Sequence, residues 1–166
     1  MRHTANDEQL AEQSFQSQDQ ITASIRQPLE AILKGLGFSL IEFVVSRHRG
    51  SVQVRTVIYS GKPIGTDDCT KVHRSIMPRL ELAFEGQDIY LEVSSPGIDR
   101  LIKDSSEFVH YKGRGIKCYC TDISEWTAGI LETINENEII LKTNKGIESL
   151  KLDIIAKAKL DSSQEV

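Results

Sequence analysis

Cys69 and His73 stand four residues apart within a stretch of helical periodicity. Side chains at that spacing share a helix face, and a thiol beside an imidazole is the makings of a thiolate nucleophile. Cys69 also belongs to the apolar stripe Cys69, Val72, Ile76, Leu80 and Ala83, where a cysteine serves as a small core residue. Cys118 and Cys120 alternate along a strand-like run and face one side. A single residue between them, with no second pair, does not match the ligand spacing of a zinc site. Asp67 and Asp68 are neighbours, so on a helix their carboxylates diverge. With Thr66 as N-cap they suit the positive end of a helix dipole. GKPIGT (61–66) lacks the closing Gly-Lys-Ser/Thr of a phosphate loop. Ser94 and Ser95 lie beside Gly97 but not in a Gly-x-Ser-x-Gly turn. No catalytic constellation emerges, and neither a metal site nor a cofactor is expected.

Basic residues are the next candidates, either as an ordinary solvated surface, which charge alone favours, or as phosphate contacts. Arg47 and Arg49 flank a hairpin tip, Lys71 and Arg74 lie three apart on the exposed side of a helix, and Lys112, Arg114 and Lys117 cluster where the second half begins. Each group is suited to phosphate contact without sequence selectivity. Tyr119 and Trp126 are candidate stacking platforms for bases, or core residues.

The elements that must hold these residues follow from periodicity. Ile21, Ile25, Leu29, Ile32 and Leu36 recur at spacings of 4, 4, 3 and 4, the face of a helix that Leu33 widens. Pro28 must begin the better part of it or kink it, and Gly35 and Gly37 end it. Residues 38–46 have strand composition, and 51–59 alternate with Val52, Val54, Thr56 and Ile58 on one face. Arg47 to Gly50 is the loop of a hairpin between them. A helix follows from Thr66, with a kink or break expected near Met77 because Pro78 lies inside the pattern. Residues 88–93 form a third strand. SSPGIDR (94–100) interrupts any regular element. Beyond it, short strands are expected at 116–120, 127–134, 137–143, 146–152 and 155–160, a density that suggests a small SH3-like or Sm-like barrel.

The expected organisation is therefore α+β. A flexible N-terminal tail (1–20, with Leu10 and Phe15 as its anchors) leads into an α/β domain (21–93) of two helices on a three-stranded sheet. A linker (94–108), a β-barrel (109–160) and a C-terminal tail (161–166) complete it.

The chain of 166 residues is 39% apolar and 27% charged with a net charge of −4, which excludes a wholly disordered polypeptide. Residues 1–93 and 94–166 each hold 10 basic and 12 acidic groups, so any nucleic-acid contact must come from local patches. No apolar run reaches the ~20 residues of a membrane span. The first residues lack the apolar centre of a signal peptide, which makes the cytoplasm the expected location. Three cysteines do not suggest a disulfide framework.

Three stretches carry a family resemblance: GKPIGTDDCTKVHR (61–74), LEVSSPGIDR (91–100) and LDIIAKAKL (152–160). Over about residues 21–160 the chain resembles the bacterial ribosome maturation factor RimP family. It departs where Arg100 is followed by Leu101-Ile102 in place of the family's Pro-Leu, a change expected to leave the segment less rigid. The resemblance implies an α/β domain followed by an SH3-like barrel. It also implies a non-catalytic assembly factor of the small (30S) subunit, and a monomer is expected. Such a factor binds the immature particle, helps 16S rRNA reach its mature fold and promotes entry of the ribosomal protein near the decoding centre. In the motif, Ser94, Ser95, Pro96, Gly97, Asp99 and Arg100 are expected to set the domain arrangement, Gly97 by supplying a turn that other residues resist. Arg100 or the serines would touch the ribosome, unless Asp99 and Arg100 merely fasten the segment to a domain. The alternative reading is a general RNA-binding or translation adaptor built on an Sm-like barrel. An enzyme using Cys69 and His73, and a purely structural interaction protein, are further rivals.

Overall fold

The alternation at 51–59 is the clearest local signal, and it becomes the central strand of the first sheet. In the computed structural model, which describes residues 4–165 and their side chains from 19 to 165, the chain divides into two units, Met1–Ser95 and Pro96–Val166. The first contains α1 (Thr4–Gly35), β1 (Ser39–His48), β2 (Ser51–Tyr59), α2 (Thr66–Ala83) and β3 (Asp88–Ser94). The sheet order is β1-β2-β3. β2 runs antiparallel to β1 and parallel to β3, with α2 as the crossover. Leu29 and Leu33 of α1, Val52, Val54 and Ile58 of β2, and Val72, Ile76 and Leu80 of α2 are buried together in one core. Two helices on a three-stranded sheet agree with the expected α/β domain.

The local chemistry explains the element ends. Gly37 takes φ +86°, Phe38 N–H donates to Leu33 O at 2.9 Å and Gly37 N–H to Lys34 O at 3.1 Å, a Schellman cap. Gly37 thus ends α1, whereas Gly35 is still helical. Arg49 and Gly50 have φ of +48° and +83°, as a two-residue type I′ hairpin turn requires. Helix α1 begins at Thr4, so helical backbone occupies most of the segment expected as a tail; the side chains of Leu10 and Phe15 lie outside the described residues. α2 is continuous through Pro78. Ile76 and Leu80 are buried on either side of it while Pro78 is exposed, so the core packing of both turns outweighs the hydrogen bond that Pro78 cannot donate. The N-cap is Gly65, one residue before Thr66. Its N–H donates to Asp68 Oδ2 at 3.0 Å.

The second unit holds β4 (Leu101–Ile102), a 3-10 helix (Ser105–Tyr111), β5 (Gly115–Cys120), β6 (Glu125–Ile134), β7 (Glu138–Thr143), β8 (Gly146–Lys151) and β9 (Ile155–Leu160). They form one sheet in the order β4-β9-β5-β6-β7-β8. This corrects the expected SH3-like or Sm-like barrel. The sheet is open, its end strands β4 and β8 do not pair, and no barrel is present. Closure needs two edges able to pair along their length, and β4 offers two residues. The residues expected as linker are shared out. Ser94 ends β3, Leu101–Ile102 pair with β9, and Asp104 Oδ1 accepts from Ser106 N–H at 2.7 Å to start the 3-10 helix. A final 3-10 turn, Ser162–Glu165, lies where a tail was expected. It docks on β5 so closely that a Cβ on Gly115 would come 2.1 Å from Asp161 O.

Candidate functional site

Cys69 and His73 both lie on α2, four residues apart. Burial, and then the charge of Asp68, push the Cys69 thiol up, away from the thiolate. An open groove of about 500 Å³ beside β3 is lined by His73, Arg55, Tyr90 and Glu92 among others, but not by Cys69. Cys118 and Cys120 face the core of the second sheet. Burial and the neighbouring Cys120 push Cys118 up to about 12, and burial also raises Cys120. Among the described residues, no group of three or more His, Cys, Asp or Glu side chains is placed to hold a metal ion. Among them, too, no helix is long and apolar enough to cross a membrane.

The linker motif divides into distinct roles. Ser94 pairs with Val57 at the end of β3, and Ser95 and Asp99 are exposed. Pro96 opens the second unit. Gly97 O accepts from Arg100 N–H at 3.1 Å, closing a turn. Gly97 itself does not lie in the left-handed region, and the nearest atom to an added Cβ, Asp99 Oδ1, is 3.8 Å away, so its expected conformational role is corrected. Arg100 is the anchored member. Its Nε donates to Glu107 Oε2 at 3.2 Å and its Nη2 to Glu107 Oε1 at 3.3 Å, with side-chain exposures of 11% and 8%. Lys103 N–H donates to the same Oε1 at 3.3 Å, and Leu160 N–H donates to Arg100 O at 2.9 Å. The side chain and the backbone of Arg100 thus both tie the motif to the second unit.

The basic candidates fall into separate groups. Arg47 and Arg49 are exposed at the β1–β2 hairpin end, and Lys71 and Arg74 are exposed on α2. Lys112 is exposed just after the 3-10 helix, beside Gly113 at φ +84°. Arg114 Nε donates to Glu165 Oε1 at 2.6 Å, and Gly115 N–H donates to the same oxygen at 2.9 Å. Burial raises the Glu165 pKa, but the bonds from Arg114 and Gly115 outweigh it and hold the carboxyl below its ordinary value. Arg114 therefore helps to dock the C-terminal turn.

Lys117 sits in a setting that the sequence groups only in part. Lys117 on β5 is opposite Lys159 on β9, and Tyr119 is opposite Trp126 on β6 and Lys157 on β9. Lys117 Nζ is 5.6 Å and Lys159 Nζ 6.0 Å from the Trp126 ring centre. The rings of Tyr119 and Trp126 meet edge to face at 5.6 Å. Lys157 and Lys159 are functional candidates that sequence reasoning missed. Their signal was the alternation in IAKAKL, which puts both on the face opposite buried Ala158.

Residues 28–99 match the family model described as RimP N-terminal domain. The chain is 34% identical over 126 residues to the ribosome maturation factor RimP of Borrelia hermsii (strain HS1 / DAH), covering 75% of this chain and 85% of that protein. It is 32% identical over the same shares to the RimP of Borrelia turicatae (strain 91E135). The chain belongs to the RimP family. The family match spans β1, β2, α2, β3 and the SSPGIDR motif as far as Asp99. The RimP relatives extend the likeness to three-quarters of the chain.

Proposed function

We propose that this protein is a non-enzymatic, cytoplasmic factor of ribosome maturation that binds the immature small (30S) subunit. A general role in ribosome maturation follows from its RimP relatives. The finer reading is that it acts as a monomer on 16S rRNA and eases entry of the late ribosomal protein near the decoding centre. The observation that carries it is the 34% identity to a protein named ribosome maturation factor over 75% of the chain. The exposed pairs Arg47–Arg49 and Lys71–Arg74, with Lys112, are the candidate phosphate contacts. The mechanism is differential binding. A factor that prefers the near-mature RNA fold shifts the population toward it, by no more than that preference. The acidic remainder of the surface suits a basic ribosomal protein.

The test is a salt series of the affinity for immature 30S particles. Phosphate contacts give an affinity that falls steeply with salt, and Lys71→Glu with Arg74→Glu makes the dependence shallower. Affinity that does not change with salt overturns the RNA-contact part of the proposal.

A further inference from the structure

We infer that the outer face of β9-β5-β6 binds single-stranded RNA, stacking an unpaired base on Trp126 while Lys117, Lys157 and Lys159 meet the adjacent phosphates. This rests on the proposed function and specifies the form of RNA that the second unit takes.

The face is built by strand periodicity. Lys117 and Tyr119 alternate with core residues Ile116, Cys118 and Cys120, and Lys157 and Lys159 flank core residue Ala158. Antiparallel register lines them up in two rows, Lys159–Lys117–Ala128 and Lys157–Tyr119–Trp126. The result is three ammonium groups and two rings on one surface. Trp126 keeps 46% of its surface in solvent although it is the largest apolar side chain in the protein, and Leu101, opposite Lys159 on β4, is equally exposed. Isolated exposed apolar residues need no explanation, but a half-exposed indole whose covering lysines can swing off the ring to meet phosphates combines both parts of a single-strand site. Asp161 is an acidic neighbour, close enough to Lys117 to feel its charge. Glu125 precedes Trp126 and alternates off the face.

The chemistry selects among nucleic acids. Duplex bases are stacked on one another and their deep groove is closed to side chains, so an indole on a sheet gains access only to unpaired bases. Every base has a π-face, so the site would tolerate sequence variation, and its affinity would depend on salt through the lysines.

Trp126 is the one tryptophan in the chain, so its fluorescence reports on the site directly. The full-length protein is titrated with an unstructured RNA decamer, with a duplex RNA of equal length, and with an oligoglutamate peptide. The expected result is saturable quenching by the single strand and little by the other two. The logarithm of affinity should fall against the logarithm of salt with a slope of about −2, as three phosphate contacts require. With labelled decamer, Trp126→Ala weakens binding about 5- to 150-fold, and Trp126→Phe, which keeps a ring, recovers part of the loss. Lys157→Glu with Lys159→Glu weakens binding and flattens the salt dependence. Circular dichroism checks that each variant is folded, and the Phe variant carries the test if the Ala variant is not. Equal quenching by duplex or by oligoglutamate, no quenching by the decamer, or an unchanged affinity in folded Trp126→Ala overturns the proposal. Co-sedimentation with immature 30S particles separates the two readings. Particle binding without decamer binding refutes this site alone, and decamer binding without particle binding refutes the proposed function alone.

Discussion

Replacing Glu107 with Gln should destabilise the second unit by about 3 kcal/mol. The carboxylate accepts three hydrogen bonds, from Arg100 Nε at 3.2 Å, Arg100 Nη2 at 3.3 Å and Lys103 N–H at 3.3 Å. A Gln oxygen in the place of Oε1 would keep two of them. Its amide nitrogen would then confront Arg100 Nε, donor against donor, and the guanidinium would lose a counter-charge in a site where its side chain is 11% exposed. Breaking a buried pair from one side costs about 3–5 kcal/mol, and the tenth of its surface left in water places this pair at the lower end. With urea m-values of about 1–3 kcal/mol/M, the midpoint falls by about 1–3 M. The assay is urea unfolding followed by Trp126 fluorescence, because that residue lies in the same unit. A double-mutant cycle with Arg100→Met and Glu107→Leu should show the pair coupled by about 2 kcal/mol or more. A loss below about 0.5 kcal/mol for Glu107→Gln, with no coupling in the cycle, would refute the anchoring of Arg100 and return it to the candidates for ribosome contact.

Thr56 is fully buried, and its Oγ1 has no hydrogen-bond partner. Thr56→Val should therefore leave the fold as stable or raise it by about 1 kcal/mol, measured by thermal melting; a loss above that would mean that the hydroxyl has a partner. Gly97→Ala should be neutral or stabilising by up to about 1 kcal/mol. Gly113→Ala, at φ +84°, should cost about 1–2 kcal/mol. Reversal of that order in chemical denaturation would contradict the backbone assignment. Gly115→Ala should displace the turn Ser162–Glu165, seen as faster hydrogen exchange there. The Glu165 carboxyl lies below its ordinary value in the folded state, so its contribution is present above the unfolded pKa, about 4.3, and is lost as pH falls through the folded value. Amide exchange at Gly115 should rise over that acid range in the wild type and not in Glu165→Gln.

How much was legible depends on the range of each interaction. The alternation of β2, a hairpin loop within Arg47–Gly50 (narrowed by the structure to Arg49-Gly50) and the stripe Val72, Ile76 and Leu80 are local patterns, and each appears as an element. The Ser-Pro-Gly run also stands where the two units divide, between Ser95 and Pro96. Closure of the second sheet was not legible. A series of short strands is common to barrels and open sheets, and the difference lies in whether β4 and β8 meet, a pairing of residues about fifty apart. A break at Pro78, one of the two outcomes its local cost suggested, does not occur, since that cost is outweighed by burial of Ile76 and Leu80. At the candidate site, the lysine and arginine clusters were visible as composition. The union of Lys159 with Lys117 and Trp126 required the β9-β5-β6 register, which no sequence window contains. The role of Arg100 needed Glu107, seven residues on and buried against expectation for a carboxylate.

Action on the immature small subunit is decided by sucrose-gradient co-sedimentation of the protein with immature 30S, mature 30S and 70S particles. Selective migration with immature 30S is the expected result. Equal binding to all three, or binding to none of them, would contradict it.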